Sequence, residues 1–126
     1  MSIKFKVIQK KNPRDLTAAP RWYANAVGDG ETSLKELAEY ASETSTVSKA
    51  DILAVLESTL TKISKDLSAG RIVRVGEYFT LQMSISSTPS NTAEEVTSNN
   101  VKSSKINFRP GNMLSDMIKL ASYQKK

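Results

Sequence analysis

The residues of this chain that can bind an anion through charge are its 18 Lys and Arg, and their distribution is uneven. The first 23 residues contain a single acid, Asp15, and account for the whole formal net charge of +5. The basic residues of this segment are Lys4, Lys6, Lys10, Lys11, Arg14 and Arg21. Such a segment favours an anionic partner such as nucleic acid, although a solvated, solubilising terminus has the same composition.

The sequence contains no set of residues suited to catalysis. Cys and His are absent, which excludes thiolate chemistry, the usual zinc sites and His general bases. Glu94 and Glu95 are adjacent, but no third ligand or base accompanies them, so a solvated loop is the simpler interpretation. We therefore predict a protein that is not an enzyme and that needs no metal or cofactor.

Length and hydropathy indicate one cytoplasmic domain. The 126 residues suffice for a modest core but not for a large enzyme cleft. No apolar run approaches the length of a membrane span, and the segment from Met1 to Lys4 lacks the apolar stretch of a signal peptide. We expect no membrane partner.

The central part of the chain predicts a helical hairpin. A capping box that begins at Ser33 predicts a helix over 33–43, and Ser48 opens a second helix over 48–69. The second helix carries apolar residues on more than one face, which is more than a small monomer covers. We therefore predict a homodimer. The expected interface residues on this helix are Ile52, Leu56, Leu60 and Ile63.

Period-two alternation predicts strands on both sides of this hairpin. Apolar and basic residues alternate from Ile3 to Val7, and a second strand over 21–27 completes an N-terminal β-hairpin extension within residues 1–32. In that second strand Trp22 and Tyr23 should point to opposite faces, one into the core and one outward. We expect these aromatic rings to serve packing rather than binding.

Three further strands are predicted later in the chain. Alternation marks 73–75 and 81–85, and strand character returns at Ile106 and Phe108. Between them, residues 86–104 are rich in Ser, Thr and Asn, which is typical of an exposed loop or extended arm. The sequence therefore predicts three strands, of which the last two are separated by an exposed loop or an extended arm.

The last predicted strand ends in Phe108-Arg109-Pro110-Gly111, and a short amphipathic helix with Leu114, Asp116 and Lys119 follows at once. This ending resembles the closing segment of the HU/IHF family of bacterial architectural DNA-binding proteins.

The earlier segment Val73-Arg74-Val75-Gly76-Glu77-Tyr78, with Leu81, resembles the family's strand–glycine turn–strand pattern. The order of elements from Ser33 to Lys119 is also similar to an HU/IHF domain. The N-terminal hairpin lies outside the resemblance and is similar to the extensions of larger HU-like proteins of Bacteroidetes.

The resemblance implies an α+β fold with an HU-like domain over 33–126, a three-stranded antiparallel sheet with a protruding β-arm, and an intertwined dimer. Tyr78 and Leu81 would join the helical residues at the dimer interface. In the family, two β-arms reach around duplex DNA, lie in the minor groove and insert a proline between base pairs to bend it.

The arm of this chain departs from the family's pattern. No Lys or Arg occurs between Arg74 and Lys102, whereas Glu94 and Glu95 lie within the arm. A minor-groove arm needs cations, because phosphate neutralisation supplies most of its affinity. Pro89 is the only proline available as a wedge, and Phe79 replaces the second glycine expected in the strand turn.

We therefore expect the DNA-binding cations to lie outside the arm tip. The candidate DNA-binding residues are Lys102, Lys105, Arg109, Arg71, Arg74, Lys4, Lys6, Lys10, Lys11, Arg14 and Pro89. The sequence predicts a nucleoid-associated, histone-like protein that binds duplex DNA with low specificity. The alternative is an HU-like dimer that binds protein partners or assembles without significant DNA binding.

Overall fold

The computed structural model describes residues 1–126, which divide into two compact units. The N-terminal unit comprises residues 1–33 and 117–126, and the central unit comprises residues 34–116. The chain has three α-helices and two three-stranded sheets. The α+β prediction is therefore confirmed. No helix is both long enough and apolar enough to cross a membrane.

The N-terminal unit is built on a hairpin of two antiparallel strands, β1 (Ile3–Lys10) and β2 (Arg21–Ala26). The sequence predicted this hairpin. It did not predict the short last strand, β6 (Tyr123–Lys125), which pairs parallel with β1 and gives the order β2-β1-β6. The N–H of Ile3 donates to the carbonyl oxygen of Ser122 at 2.8 Å where this pairing begins.

Two helices open the central unit, α1 (Leu34–Glu43) and α2 (Lys49–Ser68), and they pack against each other as the predicted helical hairpin. Ser48 is the N-cap of α2, and its hydroxyl accepts a hydrogen bond from the Asp51 N–H at 3.2 Å. The predicted helix starts and ends lie within one residue of those observed.

The C-terminus of α2 is closed by Gly70, whose φ of +83° is a left-handed conformation that suits glycine. Its N–H donates to the Leu67 carbonyl at 3.0 Å, and the Arg71 N–H donates to the Asp66 carbonyl at 2.9 Å. These two bonds form a Schellman motif, which satisfies carbonyls at the helix end.

The second sheet of the protein, here the central sheet, consists of β3 (Val73–Val75), β4 (Phe79–Ser87) and β5 (Val101–Pro110), all antiparallel. Alternation places apolar residues on one face, where Leu81 is registered with Phe108. The rings of Phe79 and Phe108 on this face lie 5.6 Å apart between centroids. Residues 88–100 connect β4 to β5 and form the tip of the arm.

The predicted Pro-Gly break ends β5, and α3 (Asn112–Lys119) begins directly after Gly111. The Gly111 N–H donates to the Tyr78 carbonyl at 2.7 Å. A Cβ at this position would collide with the backbone of Glu77. This close approach explains why glycine follows Pro110.

A single chain buries very little apolar side chain. Ala38 is fully buried and Leu67 is 7% exposed, and no other hydrophobic residue is buried. The expectation that either Trp22 or Tyr23 lies in the core is wrong for this chain, since both rings are exposed. The two rings lie on opposite faces of the β2-β1-β6 sheet.

Candidate nucleic-acid interface

One face of the central sheet is basic, and strand register brings its cations together. Arg74 of β3 and Arg109 of β5 are both registered with Thr80 of β4, and Lys105 is registered with Ser84. Because side chains of registered residues share a face, all three cations project from the same side of the sheet. We call this surface the central basic face. Three of the predicted DNA-binding residues therefore share one surface.

The strands that form the central basic face carry no acidic residue. The strands β3, β4 and β5 contain no Asp or Glu. The ion pairs of the structure join Lys4 to Asp29, Lys49 to Glu39 and Lys62 to Asp66. The side chains of Arg74, Lys105 and Arg109 are thus exposed and unpaired, so their charges are available to an anion.

Neutral hydrogen-bonding groups fill the rest of this face. Gln82 is registered with Asn107, and the hydroxyls of Ser86 and Ser103 lie 2.7 Å apart. The Ser84 hydroxyl is buried without a partner. Amides and hydroxyls of this kind donate to phosphate oxygens alongside Lys and Arg. The sequence alone does not predict that these polar residues share a face with the cations, because their grouping depends on the strand register.

Lys102 lies at a β-bulge beside this face. Ser86 is registered with Ser103, whereas the next residue, Ser87, is registered with Val101, so Lys102 is the extra residue. A bulge re-aims side chains and bends the strand. The direction of Lys102 is therefore set by the bulge and not by simple alternation.

The tip of the arm is an ordered polar loop held by Asn100. Its side-chain N–H groups donate to the Thr88 carbonyl at 3.2 Å and to the Ser90 hydroxyl at 2.9 Å, and its amide oxygen accepts from the Thr97 N–H at 2.9 Å. Pro89 lies between two residues that this side chain holds. The loop contains Glu94 and Glu95 in a short 3-10 turn and no cation.

Arg71 lies apart from the central basic face. Its N–H closes the end of α2, and its position two residues before β3 places it on the connection between helix and sheet. Its side chain is exposed. The structure therefore does not bring this predicted residue into the same row as Arg74.

A second group of predicted cations lies on the N-terminal sheet. Lys4, Lys6 and Lys10 alternate along β1 and share one face with Arg21, which is registered with Lys10. We call this surface the N-terminal basic face. The sequence-based prediction of DNA-binding residues did not include Arg21. The period-two alternation of β2, which places Arg21 on the same face as Lys10, could have indicated it.

Two cations of this group have neighbours that bear on their charge. Lys4 Nζ lies 3.8 Å from Asp29 Oδ2, in an exposed pair that contributes little. Lys10 Nζ lies 5.8 Å from the centroid of the Tyr23 ring. Lys11 and Arg14 follow β1 in the hairpin loop, where the Arg14 N–H donates to Asn12 Oδ1 at 3.0 Å.

The residues predicted for the dimer interface remain only partly covered in a single chain. Ile52, Leu56, Ile63 and Leu81 are half-buried, while Leu60 and Tyr78 are each 50% exposed. Other exposed apolar residues of the central unit include Val55, Ile106 and Phe108. This surface is large for a soluble monomer.

The fold is similar to that of a solved protein of Bacteroides vulgatus, described as a candidate bacterial DNA-binding protein. The TM-score is 0.68 with 10% sequence identity, over 98% of this chain and 48% of that one. This chain thus spans about half the length of its structural neighbour. A comparison with curated protein sequences finds no match.

The sequence itself matches a family described as an HU domain fused to wHTH, Ig, or glycine-rich motif, over residues 1–125. The match spans both compact units, including the N-terminal hairpin that lay outside the HU/IHF resemblance. The resemblance to HU is confirmed, and the chain belongs to the HU-HIG family.

Proposed function

We propose that this chain is a non-catalytic architectural protein that binds duplex DNA with low sequence specificity. The observation that carries the proposal is the central basic face, where Arg74, Lys105 and Arg109 are exposed, make no ion pair and lie on strands without Asp or Glu. Unpaired cations in a row attract the phosphate backbone, and their binding releases condensed counterions. A bacterial nucleoid is the location that this role implies.

Low specificity follows from the kind of groups on this face. Contacts from Lys, Arg and hydroxyls to phosphates fix the position of a protein on DNA but carry no direct sequence information. Lys102 at the bulge and Arg71 at the end of α2 extend the proposed phosphate contacts. The N-terminal cations Lys4, Lys6, Lys10, Lys11 and Arg14 form a further proposed contact surface.

The proposed functional unit is a homodimer. Leu60 and Tyr78 are each 50% exposed in the single chain. Exposure of this much apolar surface to water is unfavourable, and a second copy would cover it. A second copy would cover α2 and the apolar face of the central sheet through Ile52, Leu56, Leu60, Ile63, Tyr78 and Leu81. The family resemblance supports the same arrangement.

The arm has a different role here from that of a cationic arm. Its tip, residues 88–100, lacks Lys and Arg and contains Glu94 and Glu95. Affinity for phosphates must therefore come from the sheet, while Pro89 is the proposed wedge if the arm bends DNA. We regard the sheet as the binding surface and the arm as a secondary contact.

The acidic arm tip also favours a second candidate function. A dimeric HU-like scaffold could use this ordered polar loop to contact protein partners or to assemble into larger arrays. The observation in its favour is the absence of any cation between Arg74 and Lys102. Weak or absent duplex binding at low salt would be its signature.

Fluorescence anisotropy of a labelled duplex of about 30 base pairs tests the proposed function, with protein titrated at several salt concentrations. We expect the logarithm of the association constant to fall linearly with the logarithm of salt concentration. The association constant should depend little on the base sequence of the duplex. Absence of binding at low salt would refute the proposal and favour the scaffold function.

A further inference from the structure

A cleft of about 410 Å³ lies at the end of the β1–β2 hairpin. It is lined by Lys10, Lys11 and Arg21, by the ring of Tyr23, and by loop residues that include Pro13. All of these residues belong to the N-terminal unit. Ligand pockets span roughly 300–1,000 Å³, so a cleft of this size can hold a nucleobase with its phosphate.

The cleft is positively charged. Lys10, Lys11 and Arg21 make no ion pair. The acid of the hairpin loop, Asp15, is not among the lining residues, and its Oδ1 accepts hydrogen bonds from the Thr17 hydroxyl at 2.6 Å and the Thr17 N–H at 3.1 Å. An anion entering the cleft therefore meets three uncompensated cations.

The cleft also contains an exposed aromatic ring. Tyr23 is 47% exposed and stands in register with Ile8 on the N-terminal basic face. Lys10 Nζ lies 5.8 Å from the ring centroid, so the ring and a cation already lie side by side. Bases of single strands stack on such rings, while neighbouring cations contact the backbone.

We propose that this cleft binds an unpaired nucleotide of a nucleic-acid strand, with the base on Tyr23 and the phosphates on Lys10, Lys11 and Arg21. Duplex bases are stacked within the helix and cannot reach the ring, so the occupant is single-stranded. Every base has a π-face, so binding is tolerant of sequence. The inference extends the proposed duplex function. Its residues lie outside the central basic face, although Lys10 and Lys11 also belong to the further contact surface proposed for duplex DNA.

The test compares two labelled oligonucleotides of about 15 nucleotides, one of thymidine and one abasic at every position. Both carry the same phosphates, but only the first has bases that can stack. Tyr23→Ala should weaken binding of the thymidine strand at least about fivefold and have little effect on the abasic one. Tyr23→Phe should restore binding, whereas Arg21→Ala should weaken binding of both strands.

Matched controls come from the opposite face of the same sheet. Tyr123 is registered with Ile3, and Lys125 with Phe5, so both side chains lie on the face away from the cleft. Tyr123→Ala removes the same ring and Lys125→Ala removes a cation, and both variants should leave binding unchanged. The proposal is overturned if Tyr23→Ala has no effect, or if it weakens both oligonucleotides equally.

Two further experiments separate this inference from the duplex function and show whether the bound strand is DNA or RNA. A variant with Arg74, Lys105 and Arg109 changed to Ala should lose duplex affinity but retain thymidine-strand binding. A wild-type protein that binds duplex but no single strand would overturn only the present inference. An RNA strand of the same length decides between DNA and RNA as the occupant. The polymer that binds more tightly is the occupant, and binding of neither refutes the site.

Discussion

Arg74 and Arg109 lie on either side of Thr80, on one face of the central sheet. Arg74 belongs to β3 and Arg109 to β5, the two strands that flank β4. Their Cα atoms are separated by two inter-strand spacings, or about 10 Å. Neighbouring phosphates of one DNA strand advance by about 3.4 Å along the helix axis. The two guanidinium groups can therefore contact different phosphates without competing, which is the arrangement expected of a backbone-binding surface.

Neutralising the arm tip should strengthen duplex binding if the arm approaches DNA. We expect Glu94→Gln with Glu95→Gln to raise duplex affinity about threefold at low salt, because two carboxylates no longer repel phosphates. The gain should shrink as salt screens the charges. Anisotropy titrations measure it.

The matched control for this prediction is Glu43→Gln with Glu57→Gln, which removes two charges from the helices of the same unit. Equal affinities for the arm variant and the wild type would mean that the arm tip stays away from the duplex. That result would favour the scaffold function for the arm.

A charge on the apolar face of α2 should disrupt the dimer. Leu60→Glu would place a carboxylate in the proposed interface, and we expect the dimer dissociation constant to rise by at least about 100-fold. Sedimentation velocity over a dilution series measures it. Thr61→Glu introduces the same charge on the polar side of α2, one turn from Glu57 and Lys65, and should leave the dimer intact. A wild-type protein that sediments as one chain at micromolar concentration would contradict the dimer.

The close approach at Gly111 predicts a large loss of stability for a small substitution. Gly111→Ala would force a Cβ into the backbone of Glu77 and disturb the hydrogen bond from Gly111 to Tyr78. We expect the free energy of unfolding to fall by about 3 kcal/mol.

Urea unfolding at fixed protein concentration measures this change, since the stability of a dimer depends on concentration. Gly28→Ala is the control, because a Cβ there meets no atom within 4 Å. It should alter the free energy of unfolding by no more than about 0.5 kcal/mol. Equal stabilities of the two variants would show that the junction between β5 and α3 can relax.

Local signals explain the parts of the fold that the sequence predicted. Ser48 caps α2 through a bond three residues away, and Gly70 closes it through bonds of similar range. The break at Pro110 and Gly111 is equally local. Such features can be recognised because the residue types that satisfy helix ends and turns are few.

The missed features depend on contacts between distant parts of the chain. β6 has three residues and pairs with β1 from the other end of the sequence, so no local pattern distinguishes it from a frayed terminus. The grouping of Arg74 with Arg109 likewise requires the register of three strands. Exposure of Trp22 was missed because aromatic composition favours burial and the sequence does not reveal which faces find a partner.

The most direct test of the account is the salt dependence of duplex binding by a variant with Arg74, Lys105 and Arg109 changed to Ala. If all six of these cations in a dimer contact phosphates, the log–log slope should become shallower by about five. The control changes Lys35, Lys49 and Lys62 on the helices to Ala and should keep a slope close to that of the wild type. A sheet variant with the same affinity and slope as this control would contradict the claim that the central basic face binds DNA.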